Sequence, residues 1–179
     1  MGLTMKLLIK LALACLLFFS CNERVAKKPL DESVVPSSEN FSPIGKITAR
    51  MIHGQSVYVP IYSSIYNRFE GDLLHLTAIL SIRNTSPSES IVITQIDYFD
   101  TNGKRIKSFI DRPFSLSKMS SKDFVIPESD LSGGTGANFI VKWETERKIS
   151  APIIEAVMIG SIGTKAFSFT SRGKEIEAH

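Results

Sequence analysis

"LLHLTAILSIRN", Leu73–Asn84, decides the fold class. Its even positions, Leu74, Leu76, Ala78, Leu80 and Ile82, are all apolar, and the odd ones include His75, Thr77, Ser81 and Arg83. Side chains alternate between the two faces of a strand but recur every 3.6 residues on a helix. The period here is 2, so the segment reads as a half-buried strand. "SIVITQIDYFD", Ser90–Asp100, follows it. That run is β-branched and aromatic, with apolar residues on both faces, as a central strand requires. It leads into "DTNGK", where Asn102 and Gly103 suit the two positive-φ positions of a type I′ turn. "KRIKSFI" then returns as the second arm of a hairpin.

The same pattern continues outward. "DFVIPE", "NFIVKWE", "PIIEAVMIGSI" and "KAFSFTSR" each read as a strand. Phe139, Val141 and Trp143 share one face, as do Phe167 and Phe169. "SVYVPIY" opens the domain, and Pro60 within it predicts an edge or a bulge, because proline cannot donate to a ladder. Turn signals separate these runs, and neither an amphipathic helix nor an internal repeat interrupts them. The expected fold is all-β, an antiparallel immunoglobulin-like β-sandwich of seven or eight strands, with a small β-barrel as the alternative.

Before the domain lies "LLIKLALACLLFFSCNER", Leu7–Arg24. Lys6 and Lys10 give it positive charge, and Leu11–Ser20 is its apolar run. A membrane-spanning helix needs about 20 apolar residues. A charged start, a short apolar stretch and a small residue at the end read instead as a secretory leader. "FFSC" places Ser20 before Cys21 and resembles the bacterial lipobox, which makes Cys21 the expected lipidation site, carrying diacylglycerol and palmitate-type chains. "LALAC" offers Cys15 as a rival, but cutting there leaves the apolar start "CLLFFSC". Cutting at Cys21 leaves the polar "CNERVAKKPLDES". The expected organisation is a leader over 1–20, a lipidated cysteine with a flexible tether over 21–45, and one domain over 46–179. The tether carries Pro29, Pro36 and Pro43 with several serines.

Cysteines and charge narrow the chemistry. The chain has two cysteines, Cys15 and Cys21, so the folded part carries none and relies on its core without disulfides. Lys+Arg number 21 against 18 Asp+Glu; without Lys6 and Lys10 the balance is 19 against 18, or +1. That is no electrostatic footprint for nucleic acid. The three histidines are His53, His75 and the terminal His179. Ser161 in "IGSIG" lacks the G-x-S-x-G spacing of a nucleophile elbow. There is no C-x-x-C, no His pair at ligand spacing and no EF-hand loop, so neither metal nor cofactor is expected. Asp97, Asp100, Asp111, Glu128 and Asp130 are acid/base candidates by residue type alone, and no catalytic residue is assigned. "RNTS" matches a glycosylation acceptor at Asn84, read here as the polar end of a strand.

One stretch stands apart: "ESDLSGGTGANFIVKW", Glu128–Trp143. A phosphate loop would need G-x-x-x-x-G-K-[ST] and a following helix. This one has no such lysine and runs into a strand. Its glycines are expected to build a connection between strands. A second reading makes Asp130, Ser132, Gly133, Gly134, Gly136 and Asn138 a ligand-binding loop, since loops at sandwich ends carry function.

"VYVPIYSSIY", "LTAILSIRNTSPSESIVITQIDYFDTNGKRIKSFI", "SDLSGGTGANFIVKW", "PIIEAVMIGSI" and "FSFTSRGKEI" together resemble an uncharacterised family of bacterial lipoproteins, catalogued as a domain of unknown function. The likeness spans about residues 56–176. It implies an exported bacterial domain and brings no activity, substrate or catalytic residue. The expected protein is a lipid-anchored envelope protein whose sandwich binds an envelope protein or a small ligand. An envelope enzyme with a shallow carboxylate site and a purely structural envelope component are the alternatives.

Overall fold

The structure, a computed structural model, describes residues 40–47, 49–67 and 71–178. The leader, Cys15 and Cys21 lie outside the described residues. In chain order the strands are Phe41–Pro43 (β1), His53–Pro60 (β2), Ser64–Tyr66 (β3), Leu73–His75 (β4), Thr77–Arg83 (β5), Ile91–Phe99 (β6) and Arg105–Ser108 (β7). Phe114–Leu116 (β8), Ser121–Ile126 (β9), Asn138–Thr145 (β10), Ile153–Ile162 (β11), Lys165–Arg172 (β12) and Lys174–Ala178 (β13) complete the set. Every pairing is antiparallel. The larger sheet runs β1-β8-β6-β10-β2-β13, with β7 also on β6. The smaller runs β12-β11-β5-β9, and β3-β4 forms a separate hairpin. The fold is an all-β antiparallel sandwich, and no sheet closes into a barrel.

Alternation explains the core. Leu76, Ala78, Leu80 and Ile82 are fully buried. Across β5, Ala78 faces Met158 and Ile126, and Leu80 faces Ala156 and Phe124. The larger sheet answers with Val57, Val141 and Ile96 in one row and Val59, Phe139 and Tyr98 in the next. These side chains form one cluster joining both sheets.

Among the described residues there are thirteen strands where seven or eight are expected. Seven of them, β2, β5, β6, β9, β10, β11 and β12, have six or more residues and match the periodic runs. The others are three to five residues long, too short to show a period. β1 lies within residues 21–45, the stretch expected to be tether. Its reason is aromatic: Phe41 stacks on Phe114 at 4.5 Å. Leu73–His75 also parts from the strand it was read with. It pairs with β3, while Leu76 bonds back to Ser63 O at 2.9 Å.

Two local expectations need correction. Pro60 lies in an interior strand, not at an edge or bulge. It is the last residue of β2, and the pairing of β13 reaches only to Tyr58, so no ladder donor is missed there. The β6–β7 turn is not type I′, because Gly103 takes positive φ (77°) and Asn102 does not. Gly103 N donates to Asp100 O at 3.0 Å, and Asp100 Oδ1 accepts from the amides of Asn102 and Lys104. That is a type I turn with a left-handed glycine after it, the usual three-residue hairpin loop. Asn84 directly follows β5 and is buried. Its amide donates to the carbonyls of Glu89, Leu116 and Ser117 at 2.8–3.2 Å, which leaves no room for a glycan.

Candidate functional site

The Gly-rich stretch is bound into its surroundings through its own backbone. Gly133 O accepts from Thr101 N at 3.0 Å and from Thr101 Oγ1 at 2.9 Å. Thr101 Oγ1 in turn accepts from Gly136 N at 2.9 Å. Gly134 O accepts from the amides of Ser63 and Ser64, and Ala137 O from that of Ile61. The stretch therefore clasps two other connections, the one between β2 and β3 and the β6–β7 hairpin.

The polar candidates fall into different places. Asp130 Oδ1 accepts from the amide of Ser132 at 3.0 Å and also from its hydroxyl, closing a local turn on the surface. Asn138 is buried at the start of β10, opposite Phe99 and Pro60. Asp130 and Ser132 thus meet each other, the glycines meet Thr101 and Ser63, and Asn138 stands in the sheet. These contacts make the stretch a structural joint.

Beneath the clasp, Tyr98 OH and Ser63 Oγ share a buried hydrogen bond of 2.8 Å. Burial pushes the Tyr98 phenol above its ordinary value of 10.0, the bond to Ser63 pulls it back, and the charge of Asp130 pushes it up again. A raised folded value means that the folded state holds its proton more tightly than the unfolded chain. The resulting stability is fully present below about pH 10 and is lost as pH rises through the folded value. Chemical denaturation between pH 8 and 11 should therefore show a decline above pH 10 that is shallower in Tyr98→Phe. An unchanged slope in the variant would remove Tyr98 as its source.

The carboxylates disperse. Asp97 is 4% exposed and is held by Gln95 Nε2 at 2.8 Å and Arg105 Nη1 at 3.4 Å. Asp100 caps its hairpin, Asp111 pairs with the adjacent Arg112 at 3.2 Å, and Glu128 is exposed. Among the described residues no three His, Cys, Asp or Glu side chains group as metal ligands would. His75 Nδ1 bonds Ser64 Oγ at 3.0 Å, and His53 lies edge-on to Trp143.

Two features escaped the sequence. An open depression of about 470 Å³ lies where Ile44, Ile47 and Met51 meet Val92 and Ser115. Lys46, Glu89, Thr145 and Arg147 supply its polar lining, and Arg147 is engaged by Glu89 at 3.0 Å. Its size falls in the ligand-pocket range of about 300–1,000 Å³, but such pockets are mostly apolar and this one is polar and open. The second is the edge strand β12. Phe167 and Phe169 lie half-buried along it, and Tyr62 tilts against Phe169 with ring centroids 5.9 Å apart. Neither feature has a contiguous signal, since distant segments build both.

Fold and site together define a β-sandwich domain without an assembled catalytic group among the candidates named. The chain belongs to the family described as "Protein of unknown function (DUF3124)", which it matches over residues 54–176. No curated protein matches it. Among solved structures it is similar to that titled "Crystal Structure of Thermotoga maritima 1070", at 15% identity and a TM-score of 0.40, over 67% of this chain and 92% of that one.

Proposed function

We propose that this is an exported bacterial envelope lipoprotein, anchored by lipid on Cys21, whose sandwich serves as a binding or interaction module. The observation that carries the reading is the leader ending in "FFSC". It turns at once into the polar "NERVAKKPLDES" and reaches the first strand at Phe41. A second acyl chain is what makes such an anchor stable, since one chain alone binds a membrane only marginally. The sandwich is immunoglobulin-like in architecture on this reading. Its seven long strands divide into β2, β6 and β10 in one sheet and β5, β9, β11 and β12 in the other. The ligand is an envelope protein or a small molecule.

Labelling cells with a fatty-acid analogue tests the anchor. Wild type and Cys15→Ser should carry label in the membrane fraction. Cys21→Ser should lose the label, and should leave the membrane or stall as the unprocessed precursor. Label that survives Cys21→Ser and disappears in Cys15→Ser would move the anchor to Cys15.

A further inference from the structure

We propose that β12 is a docking edge, onto which a partner protein adds an extended segment bearing acidic residues at its two ends. This deepens the interaction-module reading and rests on it. A sheet edge presents unpaired amides and carbonyls, and proteins usually blunt such edges with charge, proline, bulges or brevity. Three edges of this sandwich are blunted in those ways. β1 has three residues and ends in Pro43. β9 carries Lys122 and Asp123. β13 carries Lys174, Glu175 and Glu177, and its register breaks between Glu175 and Glu177. β12 has none of these devices. It is eight residues long, pairs with β11 in unbroken register, and has no charge between Lys165 and Arg172.

Its backbone is set for a partner. In an antiparallel pair, residues that bond to the neighbour alternate with residues that point away. Gly173 N donates to Ile154 O at 2.8 Å, just beyond the Glu155–Arg172 pair. Counting back by twos, Ser171, Phe169, Phe167 and Lys165 bond to β11, so Ala166, Ser168 and Thr170 turn their amides and carbonyls outward. The far end is closed by Ser171 Oγ donating to Pro60 O, and among the described residues no strand pairs with the outward side of Lys165–Thr170. Apolar surface flanks this stretch: Phe167 and Phe169 on the core side, and on the adjacent strand Ile159 and Ile162, which are 42% and 52% exposed. Strand addition draws affinity from main-chain bonds and specificity from alternate side chains, and both are supplied here.

Charge selects the occupant. The charged residues of β12 are Lys165 and Arg172, one at each end. Glu155, opposite Arg172 in register, pairs with Arg83 at 3.9 Å. In a second copy outward residues must meet outward residues, Ser168 against Ser168 or Thr170, which sets Arg172 against Thr164 or Ala166 and Lys165 against Ser171 or Gly173, so neither cation meets an acid. A segment with acidic ends places a carboxylate opposite each of them, and opposite charges across a pair stabilise a sheet.

The test uses the full chain in detergent and two dye-labelled octapeptides of alternating valine and threonine. One has a glutamate at each end, the other a lysine at each end, and fluorescence anisotropy reads binding. The acid-ended peptide should bind at least about tenfold more tightly. The surface double variant Lys165→Glu/Arg172→Glu should invert that preference. Ser168→Pro, which removes an outward amide and spares the bonds to β11, should abolish binding while the melting curve stays cooperative. Equal binding of both peptides, binding of neither, or a dimer that dissociates in Ser168→Pro would each overturn the proposal. A null result here with intact labelling of Cys21 leaves the anchor standing and removes the docking edge alone.

Discussion

Gly133→Ala is expected to destabilise the sandwich by about 2–4 kcal/mol and to lower its melting temperature by roughly 10 °C. A Cβ at Gly133 would lie 2.0 Å from Tyr98 OH, 2.5 Å from Ser63 Oγ and 2.8 Å from the Ala137 Cβ. None of the three can yield cheaply. Tyr98 is fully buried, with its ring 5.4 Å from Phe139. Ser63 is also fully buried and is tied through its amide to Gly134 O. Gly133 itself cannot retreat without breaking the two bonds from Thr101 to its carbonyl. Overpacking a tight interior costs about 1–3 kcal/mol, and parting Tyr98 from Ser63 adds about 1. Gly45→Ala is the control, since nothing lies within 4 Å of its added Cβ. Its midpoint in urea should not move. A Gly133→Ala protein as stable as wild type would mean that the clasp is slack, and would favour the ligand-loop reading of the Gly-rich stretch.

That glycine also shows where a sequence stops being legible. "SGGTG" marks a loop that needs small residues, and the need itself can be read from the letters. Its cause cannot. Tyr98 and Ser63 are 35 residues apart, and both are far along the chain from Gly133. Only the pairing of β10 with both β2 and β6 in the larger sheet brings the three together. The long strands were legible because alternation is local: Leu76, Ala78, Leu80 and Ile82 announce their burial by spacing alone. β1 was hidden in a proline- and serine-containing stretch, where one aromatic, Phe41, carries the contact. The open edge at β12 was equally hidden. "KAFSFTSR" reads as a strand, but being last in the order β12-β11-β5-β9 is a property of topology. The same holds for the depression beside Arg147, whose lining residues come from four separate parts of the chain.

Trp143 is the other position with a large expected effect, and its two substitutions should part sharply. It is the sole tryptophan and the largest fully buried side chain, set on β10 between Gln55 and Ile93. Trp143→Ala should cost about 3–5 kcal/mol, from lost transfer energy and the cavity left behind. Trp143→Phe should cost much less, about 1–2 kcal/mol. The reason is polar: the indole Nε1 is buried without a hydrogen-bond partner among the described residues. An unsatisfied buried donor costs about 1–3 kcal/mol, and phenylalanine removes it together with some volume. The smaller ring also keeps an aromatic face for His53, which now meets the indole edge-on at 5.4 Å. Urea denaturation followed by circular dichroism compares both variants with the parent, because the phenylalanine form has no indole fluorescence to follow. If Trp143→Phe fell as far as Trp143→Ala, the indole nitrogen would have to hold a bond, and a buried water at that corner of the core would be the partner to look for.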